Sequence, residues 1–318
     1  MRNRAESSTS TTFKLLDGAE IPCTGSGGAK KDPVGYRKLV ISAGLRHIDT
    51  AQGYDNEKET GKFVAQVASS VSREKIWITS KLSDILQRVA ETTERLGTVP
   101  VLFLIHNPFV PPKGDLLAAW KELEALKDEG KLKSIGVSNF RPQDLELVLA
   151  NSKYKPVVNQ IEYHPYLLIH LKPVLAIQKK HGIVVEAYGP LVPLIKHPTE
   201  DRLNLLWSGL LLDCRKRAVT FCSTILSDDE PADRSNVSGE AIDAATVLLL
   251  WTKATGAVAV STSGNSDNIK RLAATFSSTL QLTPEEVKEI SDVGRKVYFR
   301  GYTEHMEVDF PVPDLPFQ

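Results

Sequence analysis

The sequence predicts the α/β class, as a single (β/α)8 TIM barrel with an N-terminal β-hairpin and a C-terminal tail over the barrel mouth. Three observations carry this. Short apolar runs rich in Val and Ile recur along the chain, segments of helical length separate most of them, and 318 residues suit one barrel with insertions. A doubly wound open sheet has the same alternation of strand and helix, and periodicity alone does not separate the two.

Taken in order, residues 1–12 are polar, Arg- and Ser-rich, and expected to be a disordered tail preceding a barrel over residues 13–318. Phe13 to Pro22 reads as a hairpin, because Asp17-Gly18 offers the positive backbone angles of a tight turn. Strands are expected at Pro22 to Gly27, Ile48, Ile76 to Ile78, Val101 to Ile105, Ile135 to Val137, Val157 to Ile161, Ile183 to Val185 and Val258 to Val260. Helices are expected at Glu57 to Ser70, Asp84 to Leu96, Asp115 to Glu129, Pro142 to Ala150, Leu171 to His181 and Glu240 to Lys253. Gly25-Ser-Gly-Gly-Ala-Lys30 has the look of a dinucleotide fingerprint but lacks its third glycine and its acidic partner, so it is rejected as one.

Composition narrows the class of partner. Lys plus Arg and Asp plus Glu both total 39, so no net field draws the chain to nucleic acid or an anionic membrane. The three cysteines, Cys23, Cys214 and Cys222, form neither a Cys-x-x-Cys pair nor a zinc spacing, which suits a reducing compartment and predicts no metal. The longest apolar runs fall short of the roughly 20 residues of a spanning helix, and the start lacks the apolar core of a secretory signal. Asn236-Val-Ser238 matches a glycosylation acceptor that carries no meaning without export. The expectation is a cytoplasmic protein, a monomer or weak dimer, acting on a small molecule.

The chemistry-bearing residues gather where strands end. Asp49 closes the run at Ile48, Tyr54 follows five positions later, Lys81 ends Ile76-Trp-Ile-Thr-Ser-Lys81, and His106 ends Val101-Leu-Phe-Leu-Ile-His106. Singly, each has an ordinary reading: a capping carboxylate, a packed phenol, a solvated lysine, a hydrogen-bonded core histidine. Together they mark the ends of three successive strands, and barrel enzymes assemble active sites from such ends.

The Asp49/Tyr54 spacing resembles the catalytic signature of the aldo-keto reductases. Gly130-Lys-Leu-Lys-Ser-Ile-Gly-Val-Ser-Asn-Phe140, Val157-Val-Asn-Gln-Ile-Glu-Tyr-His-Pro165 and Gly182-Ile-Val-Val-Glu-Ala-Tyr-Gly-Pro-Leu191 are similar to three further signatures, in family order. The similarity spans about Phe13 to Leu191 and Glu240 to Gly294, and is nearest to fungal-type members. It implies reduction of an aldehyde or ketone with NADPH, or NADH, as hydride donor. Tyr54 would give the proton, Lys81 would lower the phenol's pKa, Asp49 would hold Lys81, and His106 would orient the substrate oxygen.

The same resemblance implies a cofactor set. Ser138, Asn139 and Gln160 would bind the carboxamide, Tyr188 would stack on the nicotinamide, and Gly189 and Leu191 would follow it along the loop. Ser261, Thr262, Ser263 and Asn268 would take the adenosine phosphate. Thr262 and Asn268 stand where a Lys and an Arg usually read the 2′-phosphate, leaving Lys270 and Arg271 either as substitutes or as an exposed basic helix face. Gly28 and Ala29 stand where Thr and Trp are usual, and Asn107 replaces a Trp after the histidine.

From 201 to 238 the likeness stops, which reads as an atypical surface insertion or a gene-model irregularity. This segment is expected to be the least ordered internal part of the chain. Two other functions stay open: a barrel lyase forming a Schiff base at Lys81, and a catalytically impaired nucleotide sensor.

Overall fold

The computed structural model describes residues 11–27, 33–83, 89–111, 115–195, 243–303 and 306–315. The expectations for most of the 1–12 tail, for Gly28 and Ala29, for the first turn of the 84–96 helix, and for 201–238 with Cys214, Cys222 and the Asn236 acceptor lie outside them.

Eight parallel strands close into a barrel in the order β10, β3, β4, β5, β6, β7, β8, β9, which rules out the open sheet. They are β3 (Thr24–Ser26), β4 (His47–Asp49), β5 (Trp77–Leu82), β6 (Leu102–Ile105), β7 (Ser134–Ser138), β8 (Val158–Glu162), β9 (Val184–Tyr188) and β10 (Val258–Ser261). Each coincides with a predicted run. Alternation along a strand divides the core in two. In β6, Phe103 and Ile105 face the helix layer with Trp120, Ile135 and Val137. Leu102 and Leu104 face the barrel interior with Trp77, Val158 and Val258.

The hairpin is β1 (Thr12–Lys14) against β2 (Glu20–Pro22). Its connection, residues 15–19, is wider than the tight turn predicted. It closes through Leu15 N–H to Ala19 O at 2.8 Å, and only Gly18, at φ 83, has a positive angle. Leu15 and Ile21 join the interior cluster at Trp77, so the hairpin plugs the end of the barrel where the strands begin. That leaves the other end for the site.

Helices Glu57–Val67, Val89–Leu96, Leu116–Asp128, Pro142–Asn151, Lys172–His181 and Ala244–Ala254 follow the prediction. Helices Pro33–Ser42 and Pro284–Gly294 were not anticipated, although Thr283 and Glu286 form a reciprocal capping box ahead of the second. No helix among the described residues is long and apolar enough to cross a membrane.

Candidate active site

Asp49 is the last residue of β4, and the β4/β5 register sets it opposite Thr79. Lys81 lies two residues beyond Thr79, on the same inward face. Its ammonium donates to Asp49 Oδ1 at 2.6 Å, to Thr50 O at 3.0 Å and to Tyr54 Oη at 3.5 Å. Tyr54 is carried by a single 3-10 turn, Gln52–Tyr54, that ends at Asp55 in the left-handed region at φ 53. His106, one residue past β6, is tied by its N–H to Leu82 O at 3.1 Å. Its ring stands edge-on to Tyr54 with centroids 5.6 Å apart. The four predicted residues therefore meet.

Electrostatics adds burial to one expectation, the lowering of the Tyr54 pKa by Lys81. Burial raises the Tyr54 pKa, and the pull of Lys81 in the other direction does not overcome it. The phenol is thus held protonated rather than poised to ionise, a suitable state for a proton donor. Burial also opposes the Lys81 charge, but Asp49, Tyr54 and Glu186 outweigh it and the pKa is raised. Lys81 remains an ammonium with no exposed side-chain surface.

Beneath this pair lie two groups that the sequence reading did not single out. His47 Nε2 is 3.4 Å from Glu186 Oε1, yet the contact is not an ion pair near neutrality. Burial pushes the Glu186 carboxyl up to about 8, helped by Asp49, and pushes His47 down to about 4. His47 takes this place because Gly25 beside it has no side chain. A Cβ there would come within 2.7 Å of Nδ1.

A cavity of about 900 Å³ opens above the tetrad. Its wall includes Asp49, Tyr54, His106, Ser138, Asn139, Gln160, Tyr188, Gly189, Leu191, Ser261, Thr262, Ser263 and Asn268. Of the predicted site residues Lys81 alone is not on the wall, being sealed behind Asp49 and Tyr54. Asn139 adopts φ 57, a left-handed angle that Asn tolerates better than most residues. Its amide accepts from Tyr188 Oη at 2.8 Å and donates to His106 O at 3.1 Å. Gln160 Nε2 donates to Asp49 Oδ2 at 2.8 Å, linking β8 to the tetrad. Asn107 also lines the cavity, its Oδ1 taken by Phe109 N–H at 2.9 Å.

At the far end, β10 leads into helix Ser266–Ser277, capped by Asn265, whose Oδ1 accepts from Asp267 N–H at 2.8 Å. Asn268 Nδ2 rests on Ser263 Oγ at 3.2 Å. Of the two candidate cations, Arg271 is on the wall and pairs with Asp243, whereas Lys270 is outside it, exposed and 3.5 Å from Asp267.

The C-terminal tail reaches the mouth through a carboxylate that sequence reasoning missed. Glu162, on the inward face of β8, accepts from Gly301 N–H at 2.7 Å and Tyr302 N–H at 3.0 Å, with Arg300 Nη1 at 3.4 Å. This brings the Tyr302 ring to 5.5 Å from that of Tyr188. Strand parity from Gln160 marks Glu162 as inward, but its partners lie far along the chain.

The profile of the Aldo/keto reductase family matches residues 34–295. The chain is 31% identical to an NAD/NADP-dependent indole-3-acetaldehyde reductase of Schizosaccharomyces pombe, over 85% of this chain and 87% of that one. It is also 31% identical to an NADPH-dependent alpha-keto amide reductase of Saccharomyces cerevisiae, over 79% and 75%. A Bombyx mori aldo-keto reductase solved in complex with NADP superimposes with TM-score 0.72 at 26% identity, over 94% of this chain and 97% of that one. With the closed barrel and these matches in hand, the chain belongs to the Aldo/keto reductase family of oxidoreductases.

Proposed function

We propose that this chain reduces an aldehyde or ketone to the alcohol with a nicotinamide nucleotide, NADPH in the first place and NADH as an alternative donor, the proton coming from Tyr54. One observation carries the reading. The Tyr54 hydroxyl, 3.5 Å from a buried ammonium and beside His106, opens on the cavity that also holds Tyr188 and the β10 hydroxyls.

The residues present fit such a nucleotide. The cavity is long enough to join the tetrad to a helix N-terminus, where amides and hydroxyls suit a phosphate. Tyr188 presents a flat ring beside the amides of Asn139 and Gln160. When bound, the nucleotide supplies the hydride. The protein then holds the carbonyl oxygen between Tyr54 and His106, and Tyr54 passes its proton to that oxygen as charge develops there. Lys81 steadies the phenolate left behind, and Asp49 fixes Lys81.

The lyase reading is weaker. A Schiff-base lysine must be open to substrate and able to lose its proton, whereas Lys81 is sealed and its pKa is raised. We take the compartment to be the cytoplasm, supported by the three scattered cysteines.

The test is nucleotide titration of purified protein, then a panel of aldehydes and ketones that includes indole-3-acetaldehyde and an α-keto amide, the substrates named for the two fungal relatives. Nucleotide-dependent consumption of at least one carbonyl is expected. Tight nucleotide binding with no turnover anywhere on the panel would favour the sensor reading instead.

A further inference from the structure

Ser83 lies two residues past Lys81, just beyond β5, and its hydroxyl joins two elements that carry reacting groups. Ser83 Oγ is 2.9 Å from His106 Nδ1 and accepts the Gly53 backbone N–H at 3.0 Å, in the turn that presents Tyr54. The absence of a side chain at Gly53 permits this approach, since a Cβ there would stand 2.9 Å from Ser83 Oγ.

The serine is itself held in place. Its N–H donates to Gln52 Oε1 at 3.1 Å, and Gln52 Nε2 donates to Thr92 Oγ1 at 3.0 Å. Thr92 reaches Glu57 Oε2 at 3.4 Å, and Glu57 is buried and bonded to Arg95 Nε at 2.7 Å. This chain anchors the Tyr54 turn and the end of β5 to the two helices behind them.

The direction of the Ser83–His106 bond follows from what the other ring nitrogen must do in the proposed reaction. Among the described residues the hydroxyl meets Gly53 N–H and His106 Nδ1. The first occupies only one of the two lone pairs of the oxygen. With Nδ1 on Ser83, Nε2 is the ring nitrogen that can reach the substrate oxygen, and to orient that oxygen it must donate, so Nδ1 accepts the hydroxyl proton. A neutral imidazole that accepts at Nδ1 carries its own proton at Nε2.

We propose that Ser83 is a positioning residue that holds His106 as the Nε2–H tautomer and couples it to the Tyr54 turn. The orientation of both groups facing the substrate oxygen then depends on one hydroxyl. The inference rests on the reductase reading for the direction of the bond and for its kinetic consequence, but the tautomer can be measured in the resting protein without turnover.

The experiment compares wild type, Ser83→Ala and Ser83→Thr by long-range proton–nitrogen NMR of the imidazoles, with His106→Gln used for assignment, alongside steady-state kinetics. The wild type should show His106 protonated at Nε2. Ser83→Ala should move the Nδ1 resonance and lower kcat about tenfold or more, within the range for misplaced catalytic groups, with nucleotide affinity unchanged. Ser83→Thr, which keeps the hydroxyl, should restore both signals. A wild-type His106 protonated at Nδ1, or a Ser83→Ala kcat equal to wild type, overturns the proposal. Should the wild type turn over no carbonyl at all, the reductase reading fails, and the NMR of the resting protein alone decides whether Ser83 sets the tautomer.

Discussion

The two ends of the cavity are built in different ways. Around β4, β5 and β6 each group of the proposed tetrad is already bonded: Lys81 to Asp49, Asp49 to Gln160, Tyr54 within reach of Lys81, and His106 to Ser83. At β10 the hydroxyls of Ser261 and Thr262 and the amide of Asn268 line an open edge, and the nearby cation Arg271 is turned to Asp243. A buried charge must be paired before it can exist in the fold, so the chemical end is organised by folding itself. An exposed recognition edge has no such requirement. Cofactor preference should therefore be adjustable without disturbing the tetrad.

The largest effect expected from this contrast is on stability. Lys81→Met leaves the Asp49 carboxylate buried without its cation, and denaturant unfolding at pH 7 should show a loss of about 3 to 5 kcal/mol. Arg271→Met removes a half-exposed pair and should cost about 1 kcal/mol or less. Equal losses would mean that the two ends are not differently organised.

The second expectation is on recognition. Thr262→Lys with Asn268→Arg should tighten NADPH by about 1.5 to 3 kcal/mol, the scale of hydrogen bonds to charged groups, and leave NADH unchanged. Calorimetric titration with each nucleotide checks this. A parallel gain for both would place the 2′-phosphate elsewhere.

The third expectation is on the pH dependence of stability. Glu186 has its folded pKa raised to about 8 from an ordinary 4.5, so the folded state keeps a proton that the unfolded chain releases between those values. Stability contributed by this group is therefore lost as pH rises from about 4.5 to about 8. Glu186→Gln carries no titrating proton and should gain on wild type progressively across that window. Its advantage should vanish near pH 4.5. Unfolding midpoints measured at several pH values would show a flat difference if Glu186 were already ionised.

How far the sequence could be read follows the same division. The eight strands were visible because buried parallel strands are nearly continuous apolar runs. The four residues of the proposed tetrad stood out by lying at strand ends, where barrels carry chemistry, and by the family resemblance of the Asp49/Tyr54 spacing. The helix at Pro284–Gly294 had a readable signal in Thr283-Pro-Glu-Glu286 that the apolar pattern did not use. Arg271 pairing with Asp243, Ser83 with His106, and Glu162 with the Gly301 and Tyr302 amides are contacts of tertiary structure, with no local pattern to announce them. The effect of Lys81 on Tyr54 has the expected sign, and the net shift differs for a related reason. A neighbouring lysine is apparent from motif spacing, but the depth of burial that outweighs it is a property of the closed barrel.

Tyr54→Phe tests the central claim most directly, with single-turnover carbonyl reduction and nucleotide affinity measured on the same preparation. Removing only the hydroxyl should cut turnover by about a hundredfold or more while nucleotide affinity stays within about twofold of wild type, because the lost interaction belongs to the transition state. Retention of more than about a tenth of the activity would contradict the assignment of Tyr54 as the proton donor.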